Sequence, residues 1–248
     1  MSARRIEKSS GKESSAGDSC GGCDLAARLA EIRKQARAED LEQSLFQVMA
    51  DAGDAGAEWI PLLPALCAAA EKMQSGKHVL ITLDGPCASG KTTIARKLAE
   101  VLEADVLHTD DFVVPHAQKT PERLSVPGGN CDWERLTAEV LAPWKNGERP
   151  AYRRYDWNLD GLLPSETPES ENAIILEGSY CNLPAIRAYA DVRLFLVTSE
   201  EIRMERLRER ESPESLKRFF ERWIPLENAY FEAYHLPDEG IIRIQGTD

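Results

Sequence analysis

Residues 78–92 read HVLITLDGPCASGKT. An apolar run of strand length, His78 to Asp84, feeds a G-x-x-x-x-G-K-[ST] loop from Gly85 to Thr92. The text then continues as Ile94-Ala-Arg-Lys-Leu-Ala-Glu-Val-Leu102 with helical spacing. Strand, glycine loop and helix in that order make a cradle for phosphates. Gly85 and Gly90 let backbone N–H groups approach phosphate oxygens where a Cβ would interfere, and the helix start adds its positive end. The expected cradle is Gly85, Pro86, Cys87, Ala88, Ser89, Gly90, Lys91, Thr92 and Thr93. Lys91 is expected to reach the β- and γ-phosphates of ATP, and the Thr92 hydroxyl to ligate Mg²⁺. Cys87 lies in this positive field, which can lower a thiol pKa, although a role as a small residue of the loop is the leading reading.

Outward from the loop, strands and helices alternate as far as the last apolar run, Ile241 to Ile244. Such alternation predicts an α/β fold of three layers, a mostly parallel sheet with helices on both faces. Upstream, Leu25, Leu29 and Ile32, then Leu41, Leu45 and Val48, recur at helical spacing, and a second helix is expected over 61–74. The expected organisation is a disordered tail over 1–23, a helical N-terminal extension over 24–76 appended to the core, and a catalytic domain over 77–248. The tail is rich in Ser, Gly, Lys and Glu, which cannot repay the entropy of ordering.

The 248 residues carry a net charge of −12, with 42% hydrophobic and 29% charged residues. That balance argues against a nucleic-acid partner, whose phosphates need basic stripes. No apolar run reaches the ~18 residues of a membrane span, and the first residues lack the apolar core of a secretory signal. A cytoplasmic location is expected. Six cysteines at 20, 23, 67, 87, 131 and 181 then read as reduced thiols. The single Cys20-Gly-Gly-Cys23 has no second pair or His partner for a metal.

Ligands in open parallel sheets sit beyond the carboxyl ends of strands, and two acidic motifs occupy such ends. In Thr109-Asp110-Asp111-Phe112, Asp110 is placed to accept the proton of an attacking hydroxyl. In Ala173-Ile-Ile-Leu-Glu177-Gly178, four apolar residues ending in an acid resemble a Walker B strand, so Glu177 is expected to join Thr92 at the metal. Farther on, Arg203, Arg206 and Arg210 share one helical face. They read either as a lid bringing arginine to the transferring phosphoryl group or as a surface paired with Glu201, Glu205 and Glu209. The stripe Leu216, Phe219, Phe220, Trp223, Ile224, Leu226, Tyr230 and Phe231 reads as core packing, and Pro225 is expected to kink or interrupt its helix.

Taken together, GPCASGKT, TDDF (109–112), PGGNCDWERL (127–136), PAYRRYDWNL (150–159), ILEGSY (175–180) and WIPLENAYFEAY (223–234) resemble the uridine kinase group of P-loop small-molecule kinases, relatives of phosphoribulokinase. The resemblance spans about residues 77–245 and implies a P-loop kinase domain with a lid near 200–220. It implies ATP and Mg²⁺ as cofactors, and transfer to a hydroxyl of a nucleoside, uridine first. It assigns Asp110 to activating that hydroxyl, Tyr155, Asp156 and Trp157 to bordering the base, Arg153 and Arg154 to polar contacts there, and Arg206 and Arg210, with Lys91, to catalysis. The chain departs from the group at Asp111, at Val113 and in the Trp157-Asn-Leu-Asp160 continuation. The partner is thus a small-molecule acceptor; self-association is left open. Another sugar, vitamin-like alcohol or nucleotide as acceptor is the alternative, followed by a regulatory ATPase. No [NT]-K-x-D guanine motif is present to support a GTPase switch.

Overall fold

A computed structural model describes residues 21–76 and 78–246. The tail expected over 1–23 lies outside them up to Cys20; Gly21 already opens the first helix. In chain order the elements are α1 (Gly21–Gln35), α2 (Leu41–Asp51), α3 (Asp54–Ala57), α4 (Leu63–Gln74), β1 (Val79–Asp84), α5 (Lys91–Leu102) and β2 (Asp105–His108). They continue with α6 (Pro121–Ser125), α7 (Trp133–Leu136), α8 (Ala142–Lys145), β3 (Tyr155–Asp156), β4 (Gly161–Leu162), β5 (Ala173–Glu177), α9 (Pro184–Arg187) and β6 (Val192–Val197). The chain closes with α10 (Glu200–Arg210), α11 (Pro213–Arg218), α12 (Ile224–Ala233) and β7 (Ile242–Gln245). Among the described residues no helix is long and apolar enough to cross a membrane.

Five strands form one parallel sheet in the order β2-β5-β1-β6-β7. The register aligns Leu83 with Glu177 and Glu177 with His108, so the carboxyl ends of three adjacent strands stop level with one another. β1 and β5 are buried along their whole length, as strands covered on both faces must be. The three-layer α/β expectation is met.

The N-terminal helices pack on the core, as expected, and share its interior. Val79, Ile81 and Leu83 of β1, with Ala173 and Ile175 of β5, point into the same cluster as Leu29, Leu45, Met49, Leu66 and Ala69. α1, α2 and α4 therefore build, with α5, the layer over one face of the sheet. Alternate strand residues, Leu80, Ile174 and Leu176, meet the other layer, which includes Leu136, Val140, Trp144, Ile186 and Tyr230. The helical spacing read across Leu25–Val48 belongs to two helices, broken near Arg37–Asp40, with α2 folded back on α1 so that both apolar stripes reach the sheet. Arg33 ties this layer to α5, donating to the Val101 carbonyl at 2.9 Å and pairing with Glu103 at 3.0 Å.

Two helices in the opposite layer widen into π turns, Thr137–Leu141 before Pro143 and Phe219–Trp223 before Pro225. A proline inside an α-helix lacks its N–H and crowds the carbonyl four residues earlier. Those carbonyls belong to Glu139 and Glu221, inside the widened turns, so the helix continues past the proline. Pro225 interrupts the α-helical ladder, as expected, without ending the helix.

Candidate active site

The phosphate loop leaves β1 at Asp84 and enters α5 at Lys91. Gly85 has φ +143°, and a Cβ there would stand 2.7 Å from the Leu196 carbonyl oxygen. Gly90 caps α5 in the left-handed region at φ +101°. Lys91 Nζ donates to the carbonyls of Gly85 and Pro86 at 2.7 and 2.9 Å, folding back over the loop. Beneath the loop, buried Asp84 accepts from Gly85 N–H at 2.8 Å, the Tyr230 hydroxyl at 2.6 Å and Asn182 N–H at 3.0 Å. Burial pushes its carboxyl up to about 6 despite these bonds.

The Thr92 hydroxyl donates to Glu177 Oε1 at 2.9 Å, and His108 Nδ1 lies 2.5 Å from the same oxygen. Burial would raise the Glu177 carboxyl; the bond from His108, its charge and Lys91's charge outweigh that and hold it below the usual range. The hydrogen bond with Glu177 in turn raises His108. Both contacts use Oε1. Among the described residues no group of three or more His, Cys, Asp or Glu forms a metal cage. One carboxylate and one hydroxyl fit Mg²⁺, which keeps several waters and takes other ligands from substrate phosphates.

These groups line a cavity of about 810 Å³, with Cys87, Ala88, Ser89, Gly90, Thr93 and Asp110, within the size of small-molecule sites. Asp110 is open to the cavity but ringed by protein, and burial followed by the charge of Glu177 raises its carboxyl. Gly178, at φ +132°, follows Glu177; a Cβ there would collide with the Thr109 hydroxyl, so the two strand ends can close up only on glycine.

Arg206 donates to the Ser89 carbonyl at 3.1 Å and Arg203 to the Cys87 carbonyl at 3.4 Å. α10 thus sits on the phosphate loop. Arg210 also lines the cavity, pairs with Glu211 at 2.7 Å and stacks near Phe219. α10 is anchored by Ser199, which caps Ile202 N–H, with Glu200 and Glu201 in the first turn.

The five residues assigned to the base separate. Trp157 lines the cavity, edge-on to Trp223 at 6.3 Å between centroids. Tyr155 is buried behind it, its hydroxyl donating to Asp160 at 2.7 Å. Asp156 accepts from Asn158 and Leu159 N–H and closes the hairpin turn. Arg153 pairs with Glu139 and Arg154 with Glu166. Gly85 and Pro86 shape the loop from outside the lining.

The Cys87 thiol is not activated: burial and the neighbouring Glu227 carboxylate push it up to about 12. The stripe of the last helices is core only toward its end, where Tyr230 is fully buried and Phe231 packs against it; Phe220 is exposed, and Phe219 and Trp223 line the cavity. Several lining residues escaped the sequence reading, among them His108, Asn130 and Glu227. His108 ends β2 and was discoverable by the same strand-end rule that found Asp110. Asn130 and Glu227 carry no local signal, although both fall inside segments shared with the uridine kinase group.

A search of curated protein sequences finds no match. Among solved structures, a candidate fructose transport system kinase from Silicibacter sp. is similar at TM-score 0.57 and 23% identity, over 71% of this chain and 96% of that one. A candidate uridine kinase from Bacillus stearothermophilus is similar at TM-score 0.51 and 20% identity, over 70% of this chain and 96% of the other. At these identities the likeness establishes the P-loop kinase-like fold. The AAA domain profile matches residues 81–234, from the middle of β1 through Tyr234 just past α12, and the chain belongs to that family.

Proposed function

We propose that the protein is an ATP- and Mg²⁺-dependent phosphotransferase acting on a hydroxyl of a nucleoside-like small molecule, with uridine or cytidine as the leading acceptor. The observation that carries this reading is the convergence of Lys91, Thr92, Glu177 and Asp110 on one cavity with an aromatic wall. In the reaction the acceptor oxygen forms a bond to the γ-phosphorus, the bond to the ADP oxygen breaks, and the hydroxyl proton passes to Asp110. Lys91 exchanges its loop carbonyls for phosphate oxygens, and Arg206 and Arg210 approach from α10. Thr92 and Glu177 would hold Mg²⁺, which supplies neutralisation of the phosphate charge. Trp157 offers a flat face for a base.

The test is ATP consumption with Mg²⁺ across nucleosides, nucleotides, sugars and vitamin-like alcohols, with products identified by mass. A phosphorylated small product is expected. Asp110→Asn should keep ATP binding and lose about 10²- to 10⁴-fold in kcat. Unchanged turnover in that variant would remove Asp110 from the role. Hydrolysis that is indifferent to every acceptor would favour a regulatory ATPase.

A further inference from the structure

Neither the phosphate-loop motif nor the uridine kinase resemblance gives His108 a role, yet it touches the carboxylate assigned to the metal. In the parallel register His108 of β2 is the partner of Glu177 of β5. Adjacent strands stand about 4.8 Å apart, so side chains leaving the same face at that level meet. The ring Nδ1 lies 2.5 Å from Glu177 Oε1, and the Thr92 hydroxyl donates to the same oxygen at 2.9 Å from the start of α5. Among the described residues these are the two side chains that hydrogen-bond to Glu177.

The two donors are not equivalent. Thr92 would itself be a metal ligand and opens the helix that follows the phosphate loop, whereas His108 belongs to the sheet and lies outside the nucleotide cradle. The backbone after Glu177 is already fixed, because Gly178 N–H donates to the Leu83 carbonyl at 3.1 Å. What is left to settle is the carboxylate itself, since the terminal torsion of a glutamate is broad when nothing holds it. His108 settles it before any nucleotide arrives. Two other uses of the ring fit less well. Its side chain is 39% exposed, so it fills little core and a packing role has little to act on. As a metal ligand it would offer nitrogen where Mg²⁺ prefers oxygen, and its Nδ1 is already engaged by Glu177.

We propose that His108 is a positioning residue for the metal site: its Nδ1–H holds the Glu177 carboxylate in the orientation that, with Thr92, receives the divalent cation. This rests on the metal assignment made for the phosphotransferase reading and adds the residue that keeps that site formed. Outer hydrogen bonds to ligating carboxylates are worth about 10- to 100-fold in metal affinity.

The test uses Mn²⁺ as a probe on the full chain with saturating ADP, counting free ion by electron paramagnetic resonance. Glu177→Gln serves as the control for the metal assignment. His108→Ala removes the donor; His108→Asn puts an amide N–H near the place of Nδ1, and His108→Gln puts one near the place of Nε2. His108→Ala and His108→Gln should raise the Mn²⁺ Kd about 10- to 100-fold, while His108→Asn stays within about threefold of the unmodified protein. ADP binding without metal should stay within about twofold in all three. An unchanged Mn²⁺ Kd in His108→Ala, beside a weakened Glu177→Gln, overturns the role of His108 and leaves the metal assignment standing. Equal recovery by His108→Asn and His108→Gln overturns the Nδ1 bond as the cause. Loss of metal-free ADP binding in His108→Ala and His108→Asn alike marks a structural role and overturns the proposal. Mn²⁺ binding that Glu177→Gln leaves intact overturns the metal assignment and the proposal together. Phosphoryl transfer to an acceptor is measured separately on the unmodified protein, so the phosphotransferase reading stands or falls on its own result.

Discussion

The two faces of the sheet are built from the same strands but to different ends. The core beneath α1, α2, α4 and α5 is apolar, with Leu29, Leu45, Met49 and Leu66 at or below 1% exposure and no buried carboxylate among them. The opposite layer carries buried Asp84, Asn182, Tyr230 and Glu227, two π turns, and the aromatic residues that rise past the strand ends into the cavity. One layer supplies rigidity; the other spends part of its packing on polar groups held for a ligand. A site gains from this division because the phosphate loop is clamped between a layer that does not change and one that can answer a substrate.

The sharpest way to break the comparison is to remove the first layer. Deleting residues 1–76 strips the cover from β1, β5 and β6, and the remainder should lose cooperative unfolding altogether, measured by circular dichroism against denaturant. A shortened chain that still unfolded in one transition would show that these helices are dispensable to the core. Next in size, Leu66→Ala should destabilise by about 2–5 kcal/mol while leaving both KM values unchanged at a temperature where the variant is folded. A change in acceptor KM would show that the two faces are not independent.

The smallest effect sharpens the polar side. Burial holds the Asp84 carboxyl at about 6, above the ~3.9 of an unfolded chain. The neutral form is therefore the one folding favours; its contribution is complete below about pH 4 and is lost as pH rises through about 6. Asp84→Asn cannot ionise, so its stability relative to the unmodified protein should improve from about pH 4.5 to about pH 7.5, by at most about 3 kcal/mol. Denaturant midpoints at the two pH values measure it. A difference that does not move with pH would mean that the bonds from Tyr230, Gly85 and Asn182 hold the charge at no cost.

What was legible in the sequence follows from how local each signal is. Apolar strands bounded by turns, and a helix after a glycine loop, are fixed by neighbours in the chain, so the alternation and the parallel sheet could be read directly. Lys91, Thr92, Asp110 and Glu177 were legible because a motif or a strand end places them. The helices before Val79 were legible as helices, yet nothing in their periodicity says which surface they cover. Tyr155, Arg153 and Arg154 sit where the uridine kinase resemblance puts base contacts, but Asp160, Glu139 and Glu166 take their polar groups, and those pairings are invisible in the pattern. Glu227 meets Cys87 across 140 positions of sequence; only the folded chain brings them together. The helical stripe around Phe219 misled because a stripe facing a cavity and a stripe facing a core have the same spacing.

The widened turn at Phe219–Trp223 makes α11 and α12 a single arm with a phase offset in its middle. Each residue in an α-helix turns the chain by about 100°. Excising one residue from the widened turn would convert it to ordinary α spacing and swing Ser215 and Arg218 about a quarter of a circle around the arm, while Glu227 kept its place on the phosphate loop. The offset therefore acts like the indexing notch of a cam: it sets which side of α11 confronts the nucleotide independently of what α12 has fixed. Chains that share this sheet could retune that confrontation by gaining or losing one residue there, with no change to the layers beneath.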